Sequence, residues 1–290
     1  MTDQSSILGN STLLLGKPGS GKTYSLPTYV EAGLELFVLI TDPRGEESLL
    51  DSMSDRKLPM DKIHYHYVPP ANPSWDTLKD MAFKIEKMGY KDLAELKTGV
   101  KKEDFQQFPQ LLGVLSDFTC QRDGKSYGPV DTWGPDRALA VDSMSGISTM
   151  AFTMMVGAKP TAHMGEWGVA MNAELRLLQK LTSDVKCFLT ITGHIETEMD
   201  ETIGRPQLML SALGKKNAPK IPKDFSDVVY AYREGTDFFW STVANNIDLK
   251  TRTLPLKDKI KPDFGQMVTA RNKRVAMTTN LNTETETKTS

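Results

Sequence analysis

The chain of 290 residues has only two cysteines, Cys120 and Cys187. That is too few for a disulfide framework or a cysteine-built metal knuckle, so each reads as a plain thiol in or near a core. Histidine is nearly as scarce. His64 and His66 have no sequence neighbours at metal-ligand spacing and read as strand residues. Long apolar runs are missing too: no stretch approaches 18 apolar residues, so no membrane span is expected. The opening MTDQSSILGN has neither the basic start nor the apolar stretch of a secretory leader, which makes the cytoplasm, a reducing compartment, the expected location. No internal repeat is visible, and no charge of one sign dominates. The 35 basic and 37 acidic residues leave a formal net charge of −2, which advertises neither a polyanion partner nor an acidic solvating tail.

What is present is an ordinary globular composition, with 39% apolar residues and enough length to bury a sizeable core. The near-neutral charge conceals an asymmetry. Gly214 to Arg274 carries 13 Lys/Arg and 7 Asp/Glu, a net of +6, against −8 for the remainder. The expected organisation is one domain over residues 1–267, with an irregular insertion at 89–135. A tail over 268–290 follows, first basic and then Thr/Glu-rich, with a composition typical of disorder from Thr278 onward.

Short apolar runs that stop at glycine or at polar residues predict buried strands at Thr12–Leu15, Leu36–Ile40, Ala138–Val141 and Cys187–Thr192. His64–Val68 and Val228–Tyr232 read as further strands, and Phe238–Leu254 as a hairpin. Helices are predicted from near Lys22, over Trp75–Met88, over Phe105–Phe118 and over Trp167–Leu181. Gln121–Pro135, rich in Gly, Pro, Asp and Ser, reads as a loop or hairpin, and the stretch after His194 as a polar loop. Strands alternating with helices predict an α/β fold, a mostly parallel central sheet flanked by helices, with an antiparallel extension at one edge.

Gly16-Lys17-Pro18-Gly19-Ser20-Gly21-Lys22-Thr23 fits the pattern G-x-x-x-x-G-K-[ST]. Glycines at these positions let the backbone fold tightly enough to aim successive N–H groups at one anion, and the helix that follows points its positive end the same way. In such a loop the lysine, here Lys22, reaches the β- and γ-phosphates, and the hydroxyl of Thr23 ligates Mg²⁺. The stretch from Gly16 through Pro18, Gly19, Ser20 and Gly21 to Tyr24 is therefore the candidate nucleotide cradle, with Lys17 either touching phosphate or simply solvated. The strand Ala138–Val141 ends in Asp142, the second candidate Mg²⁺ group. Asp142 is followed by Ser143, so no glutamate stands in that place to polarise an attacking water. Glu46 and Asp42, just past the second strand, are the candidates for that role, with Glu46 preferred. The alternative is that Glu46 and Glu47 only charge the first turn of a helix. His194, at the end of Thr190-Ile191-Thr192-Gly193, is a candidate sensor of the γ-phosphate.

Together, the P-loop at Gly16–Thr23, the strand end Val141–Gly146 and the strand end Thr192–His194 resemble a family of bacteriophage P-loop ATP-binding proteins. That family is grouped with AAA domains and has a RecA-like core. Further similarity lies in Gly214-Lys215-Lys216, Ile221–Val228, Leu249–Arg252 and Pro262–Phe264, so the resemblance covers residues 10–267. It implies an Mg²⁺-dependent ATPase of DNA recombination, replication or repair, in the host cytoplasm, assembled as a ring or filament whose subunits share sites. ATP over GTP rests on the resemblance, with no guanine-reading N-K-x-D motif visible. Lys215 and Lys216 match the paired lysines that act on a neighbour's nucleotide in RecA-like proteins, with Arg233 and Arg252 as alternatives.

The resemblance also makes Ile195–Leu213 a DNA-contacting loop, but Glu196, Glu198, Asp200 and Glu201 there face only Arg205, and an acidic loop repels phosphate. The basic region 214–274 is the better surface for single-stranded DNA: Lys250, Arg252, Lys257, Lys259, Lys261 and Arg271–Arg274 supply charge, and Phe238, Phe239 and Trp240 supply rings for stacking. Against the DNA-acting ATPase stands a nucleotide-dependent switch or assembly protein that binds other proteins. A small-molecule kinase is a weaker third reading, for want of an arginine-rich lid.

Overall fold

A computed structural model describes residues 9–70, 74–89, 105–157, 162–200, 204–214, 217–244 and 246–287. The expected α/β architecture is the one the chain adopts. Seven strands form the central sheet: β1 (Ser11–Gly16), β2 (Glu35–Ile40), β3 (Ile63–Tyr67), β4 (Arg137–Asp142), β5 (Phe188–Gly193), β8 (Asp227–Glu234) and β9 (Asp237–Ser241). Their order is β3-β2-β4-β5-β1-β8-β9, parallel except for β9, which turns back on β8 to form an antiparallel edge. β1 lies between β5 and β8, with Leu13 opposite both Ile191 and Val228. β5 separates β1 from β4, so the end of β5 projects between the P-loop and Asp142.

The continuous apolar runs follow from burial on both faces. Successive residues alternate between two cores. Leu13, Leu15, Phe37, Leu39, Leu139 and Val141 pack beneath helices α5 (Gln107–Ser116), α6 (Met144–Val156) and α7 (Met164–Asp184). Leu14, Leu36, Val38, Ile40, Ala138 and Ala140 pack on the other face. There they meet α2 (Thr28–Glu31), α3 (Gly45–Asp55) and α8 (Gly265–Thr287). Each fully buried Leu or Phe contributes about 1.5–3 kcal/mol, so these two layers hold the strand ends rigidly in place. The helix α4 (Trp75–Glu86) follows the third strand, as its three-and-four apolar spacing predicts. Residues 90–104 of the expected insertion lie outside the described residues. The remainder includes α5 and a short antiparallel bridge from Thr119 to Ser126.

Four expectations change. The helix predicted from Lys22 is divided into α1 (Lys22–Ser25) and α2 around Pro27, whose missing N–H cannot continue the ladder. The polar loop after β5 is an antiparallel ribbon of β6 (Ile195–Asp200) and β7 (Arg205–Leu210), separate from the main sheet. The hairpin sought over Phe238–Leu254 is instead β8–β9, closed at Gly235, which has φ of +59°. Residues after Ser241 return irregularly, with single bridges from Val228 to Lys250 and from Trp240 to Ile260. Finally, the low-complexity stretch from Thr278 continues α8 through Thr287. Phe264, stacked on Tyr29 at 4.3 Å with its backbone N–H on the Thr28 hydroxyl at 2.9 Å, anchors the start of α8. Extending a nucleated helix fixes only one residue per added hydrogen bond.

Candidate functional site

The strands' C-terminal ends converge on a cleft of about 810 Å³ lined by Pro18 to Tyr24, Asp42, Asp142, His194, Arg233, Phe238 and four polar residues of α3. The loop from β1 to α1 forms its floor. Gly16 is required by close approach, because a Cβ there would lie 2.4 Å from the Ala231 carbonyl of β8. Gly21 is required twice: its φ is +80°, and a Cβ would meet the Phe238 ring at 2.7 Å. Lys22, buried at 6% exposure, donates to the carbonyls of Gly16 at 2.9 Å and Lys17 at 3.0 Å. Its ammonium therefore sits within the loop's curl. Burial pulls it down to about 8, against the opposing pull of Asp142 and Asp42. The Ser20 hydroxyl, in the same curl, is buried without a hydrogen-bond partner among the described residues. A cation seeking an anion and an unsatisfied donor in a tight glycine loop are what a bound phosphate would complete.

Asp142 ends β4 within reach of that loop. Its Oδ2 accepts the Thr23 hydroxyl at 2.6 Å, and its Oδ1 accepts the Thr192 hydroxyl of β5. Burial pushes the Asp142 carboxyl upward, and the two hydroxyl donors offset this only in part. A nearby divalent cation would relieve the same penalty. The Thr41 hydroxyl ties the ends of β2 and β4 together, donating to the Ser143 carbonyl at 2.9 Å and accepting from the Ser143 N–H at 2.8 Å. That tie sets Asp42 beside Asp142. Asp42 accepts the Ser143 hydroxyl at 2.9 Å and faces His194 Nε2 at 3.6 Å. Burial works to raise the Asp42 carboxyl, but His194, Ser143 and Lys22 outweigh it and hold it below the usual carboxylate range. Two carboxylates on neighbouring strand ends are thus driven in opposite directions.

Lys22, Thr23, Tyr24, Asp42, Asp142 and His194 line one cleft, with Gly16 and Lys17 forming the loop's backbone behind them. Glu46 does not. It lies in the first turn of α3, outside the cleft lining, so helix geometry rather than the strand end determines where it points. Lys215 and Lys216 lie outside the described residues. The Tyr24 hydroxyl donates to Asp55 of α3 at 2.9 Å, and its ring lies 6.0 Å from Phe238. Phe238 escapes sequence reasoning as a cleft residue, and Arg233 enters this cleft rather than a neighbour's, because β8–β9 reaches the loop only through the strand order; Asp51 and Asp55 enter on α3, whose packing beside that loop no local pattern encodes.

The expected DNA platform is not assembled as drawn. Trp240 is core, at 1% exposure; Phe238 covers the loop at Gly21; Phe239, half-buried like Phe238, packs near Tyr232 and Lys259. The lysines are dispersed as well: Lys259 pairs with Glu234 at 2.6 Å, Lys261 with Asp263 at 3.6 Å, and Lys250 donates to the Lys223 carbonyl at 2.7 Å. On the ribbon, cross-strand register sets Glu196 opposite Met209 and Glu198 opposite Gln207, with no basic residue across from either, whereas Asp200 is paired with Arg205.

Away from the cleft, His64, Cys120 and Asp123 bring ligand atoms within 4.8 Å of one another, a grouping that spacing along the chain does not show. Asp123 is already engaged by the Arg122 guanidinium at 3.0 Å, the Tyr127 hydroxyl at 2.9 Å and the Lys125 N–H at 3.0 Å. Its carboxyl is held down at about 2, chiefly by that N–H. With two arginines nearby and His64 stacked on Phe37 at 4.5 Å, the group fits a structural polar cluster better than a metal centre. No helix among the described residues is long and apolar enough to cross a membrane. Compared with protein-family models and with curated proteins, the chain matches none.

Proposed function

We propose that the protein is a RecA-like P-loop ATPase that binds ATP with Mg²⁺ in this cleft and hydrolyses it. The observation that carries the reading is the 2.6 Å hydrogen bond from Thr23 to Asp142, which unites the phosphate loop with an acidic strand end one strand removed. The P-loop amides and Lys22 would hold the β- and γ-phosphates, with Lys22 exchanging its two carbonyl partners for phosphate oxygens. Thr23 and Asp142 would hold Mg²⁺, whose chemistry is to neutralise charge developing between those phosphates. Asp42 and His194 stand where the attacking water would lie. As the water oxygen bonds the γ-phosphorus and the bond to the ADP oxygen breaks, Asp42 would orient the water through a remaining lone pair of a carboxylate oxygen, and the water's proton would pass to a γ-phosphate oxygen and leave with inorganic phosphate. Its lowered pKa suits orientation and charge placement more than outright deprotonation, which accords with a reaction dominated by positioning. Tyr24 and Phe238 offer rings for the base, and Arg233 a cation at the rim.

Action on single-stranded DNA through the region 214–274, within a homo-oligomeric ring or filament, is the biological setting that the family resemblance favours. The acidic residues of β6 favour the second reading, an ATP-dependent switch that binds basic protein partners. Phosphate release measured with and without single-stranded DNA, alongside particle mass with and without ATP, separates them. DNA-stimulated turnover supports the first; ATP-dependent assembly with turnover indifferent to DNA supports the second. Absence of Mg²⁺-dependent ATP hydrolysis under both conditions contradicts the ATPase proposal itself.

A further inference from the structure

The cleft has two unlike walls. The loop and Lys22 offer N–H groups and positive charge, whereas α3 contributes Ser48, Asp51, Ser54 and Asp55 and no basic residue. An acid beside a polyanion opposes its binding, unless that acid accepts hydrogen bonds from an uncharged part of the same ligand. The cleft also holds a sign of a ligand that is independent of these acids. The Ser20 hydroxyl, at 5% exposure, lines it with no hydrogen-bond partner among the described residues.

The acids of α3 are held by a fixed helix. Leu49, Ser52 and Met53 are buried on its inner side, and the Ser52 hydroxyl donates to the Tyr24 carbonyl at 2.7 Å, tying α3 to the helix that follows the loop. Arg56, at its C-terminal end, is engaged by Glu31 at 2.8 Å and lies over the Tyr24 ring at 5.4 Å. Asp55 is occupied too, since it accepts the Tyr24 hydroxyl at 2.9 Å. Asp51 is not: its carboxylate has no hydrogen-bond or ion-pair partner among the described residues.

Position along the helix separates the two acids. α3 begins at Gly45, just past Asp42 at the end of β2, and reaches Tyr24 only through Asp55 in its last turn. Ser48, Asp51 and Asp55 therefore follow one face from the phosphate end of the cleft towards the rings of Tyr24 and Phe238, with Asp51 about 6 Å before Asp55 along the axis. A nucleotide with its phosphates on the loop and its base at those rings brings its sugar to the level of Asp51. The sugar is also where such a ligand carries neutral donors. Its 2′ and 3′ hydroxyls are adjacent, and the two oxygens of a carboxylate accept such a pair, with the added strength of a charged acceptor.

We propose that Asp51 accepts the ribose hydroxyls and makes the cleft select ribonucleoside triphosphates over their 2′-deoxy counterparts. This rests on the ATPase reading of the cleft and adds the sugar to it.

The test titrates ATP, dATP and ITP, each with Mg²⁺, into the full-length wild type, Asp51→Asn and Asp51→Ala. The wild type should bind ATP at least about tenfold more tightly than dATP, as expected for one lost hydrogen bond to a charged acceptor. Asp51→Ala should bring ATP down to the affinity of dATP while leaving dATP within about twofold of its wild-type value. Asp51→Asn keeps one carbonyl acceptor and should retain part of the preference. ITP keeps the ribose and replaces the base amine by a carbonyl, so it should bind the wild type as ATP does. Asp51 is exposed on α3 and alanine is the better helix former, so the variant should fold, as circular dichroism would check. Equal affinity of the wild type for ATP and dATP, or the full preference kept in folded Asp51→Ala, overturns the proposal and leaves the ATPase reading standing. Discrimination against ITP without discrimination against dATP would assign Asp51 to the base and overturns it likewise. Absence of binding by all three nucleotides contradicts the ATPase reading, and the proposal with it.

Discussion

At the C-terminal ends of the parallel strands, one buried lysine, Lys22, faces two carboxylates, Asp42 and Asp142. At the N-terminal ends, Arg252, Arg271 and Arg274 line a second cavity that includes no carboxylate among the described residues lining it. The same three strands, β1, β5 and β8, border both places. The first end is therefore a poor receptor for a bare triphosphate, whose charge would meet Asp42 and Asp142 directly. On the proposed function it would become a good one only with a divalent cation joining the carboxylates to the phosphates. On the proposed function, the glycine loop would define where an anion sits, while the acids on neighbouring strands would decide what must come with it.

The largest expected effect tests the first end alone. Lys22→Ala should lower ATP hydrolysis by at least about 100-fold, roughly 2.7 kcal/mol or more of lost transition-state stabilisation, as read by phosphate release. Wild-type turnover in that variant would remove Lys22 from the chemistry. Next, chelating Mg²⁺ should weaken ATP binding in the cleft by about tenfold or more, as expected for a site where cation and phosphate charges are coupled. ATP binding that ignores the metal would dissolve the comparison.

A third effect is set by pH. Free Lys22 titrates at about 8, and a bound triphosphate favours its charged form, so binding takes up a proton above that pH. ATP affinity should fall about tenfold between pH 7 and pH 9, one pKa unit above the free value. Calorimetry in buffers of different ionisation heat should show net proton uptake at the higher pH. The arginines at the other end offer no such switch, because guanidinium groups stay charged throughout that range. The smallest effect on nucleotide binding, that of Phe238, is read beside a stability effect at Trp240 of the same strand. Trp240→Ala should lower stability by about 3–5 kcal/mol, measured by denaturant unfolding. Phe238→Ala should leave stability nearly unchanged but weaken ATP binding by about threefold to tenfold, in line with one lost stacking contact. A large stability loss for Phe238→Ala would make it core rather than cleft.

Much of this was legible in the sequence where the necessary residues are neighbours along the chain. Gly16 to Thr23 is one continuous loop, and Asp142 stands directly after four apolar residues, so the loop and the strand end needed no knowledge of topology. Asp42 and Glu46 were not separable in this way. Only the tie from Thr41 to Ser143 turns Asp42 toward Asp142, while four residues on, the first turn of α3 carries Glu46 aside. Phe238 and Arg233 entered the cleft through the pairing of β8 with β1, which no local pattern encodes. The β6–β7 ribbon did leave a signal: Ile195, Thr197 and Met199 alternate with Glu196, Glu198 and Asp200, the period of a strand. The arginine cavity left none, since it joins Ser11, Arg252 and Arg271 across most of the chain.

The central claim is that Asp142 and Thr23 make the cleft a receptor for a metal-bound nucleotide. Titrating ATP into the wild type and Asp142→Asn, each with Mg²⁺ and with chelator, tests it most directly. The account predicts tight binding only for the wild type with Mg²⁺, and an Asp142→Asn protein whose weaker binding no longer responds to the metal. Mg²⁺-dependent binding of wild-type strength in Asp142→Asn would contradict it.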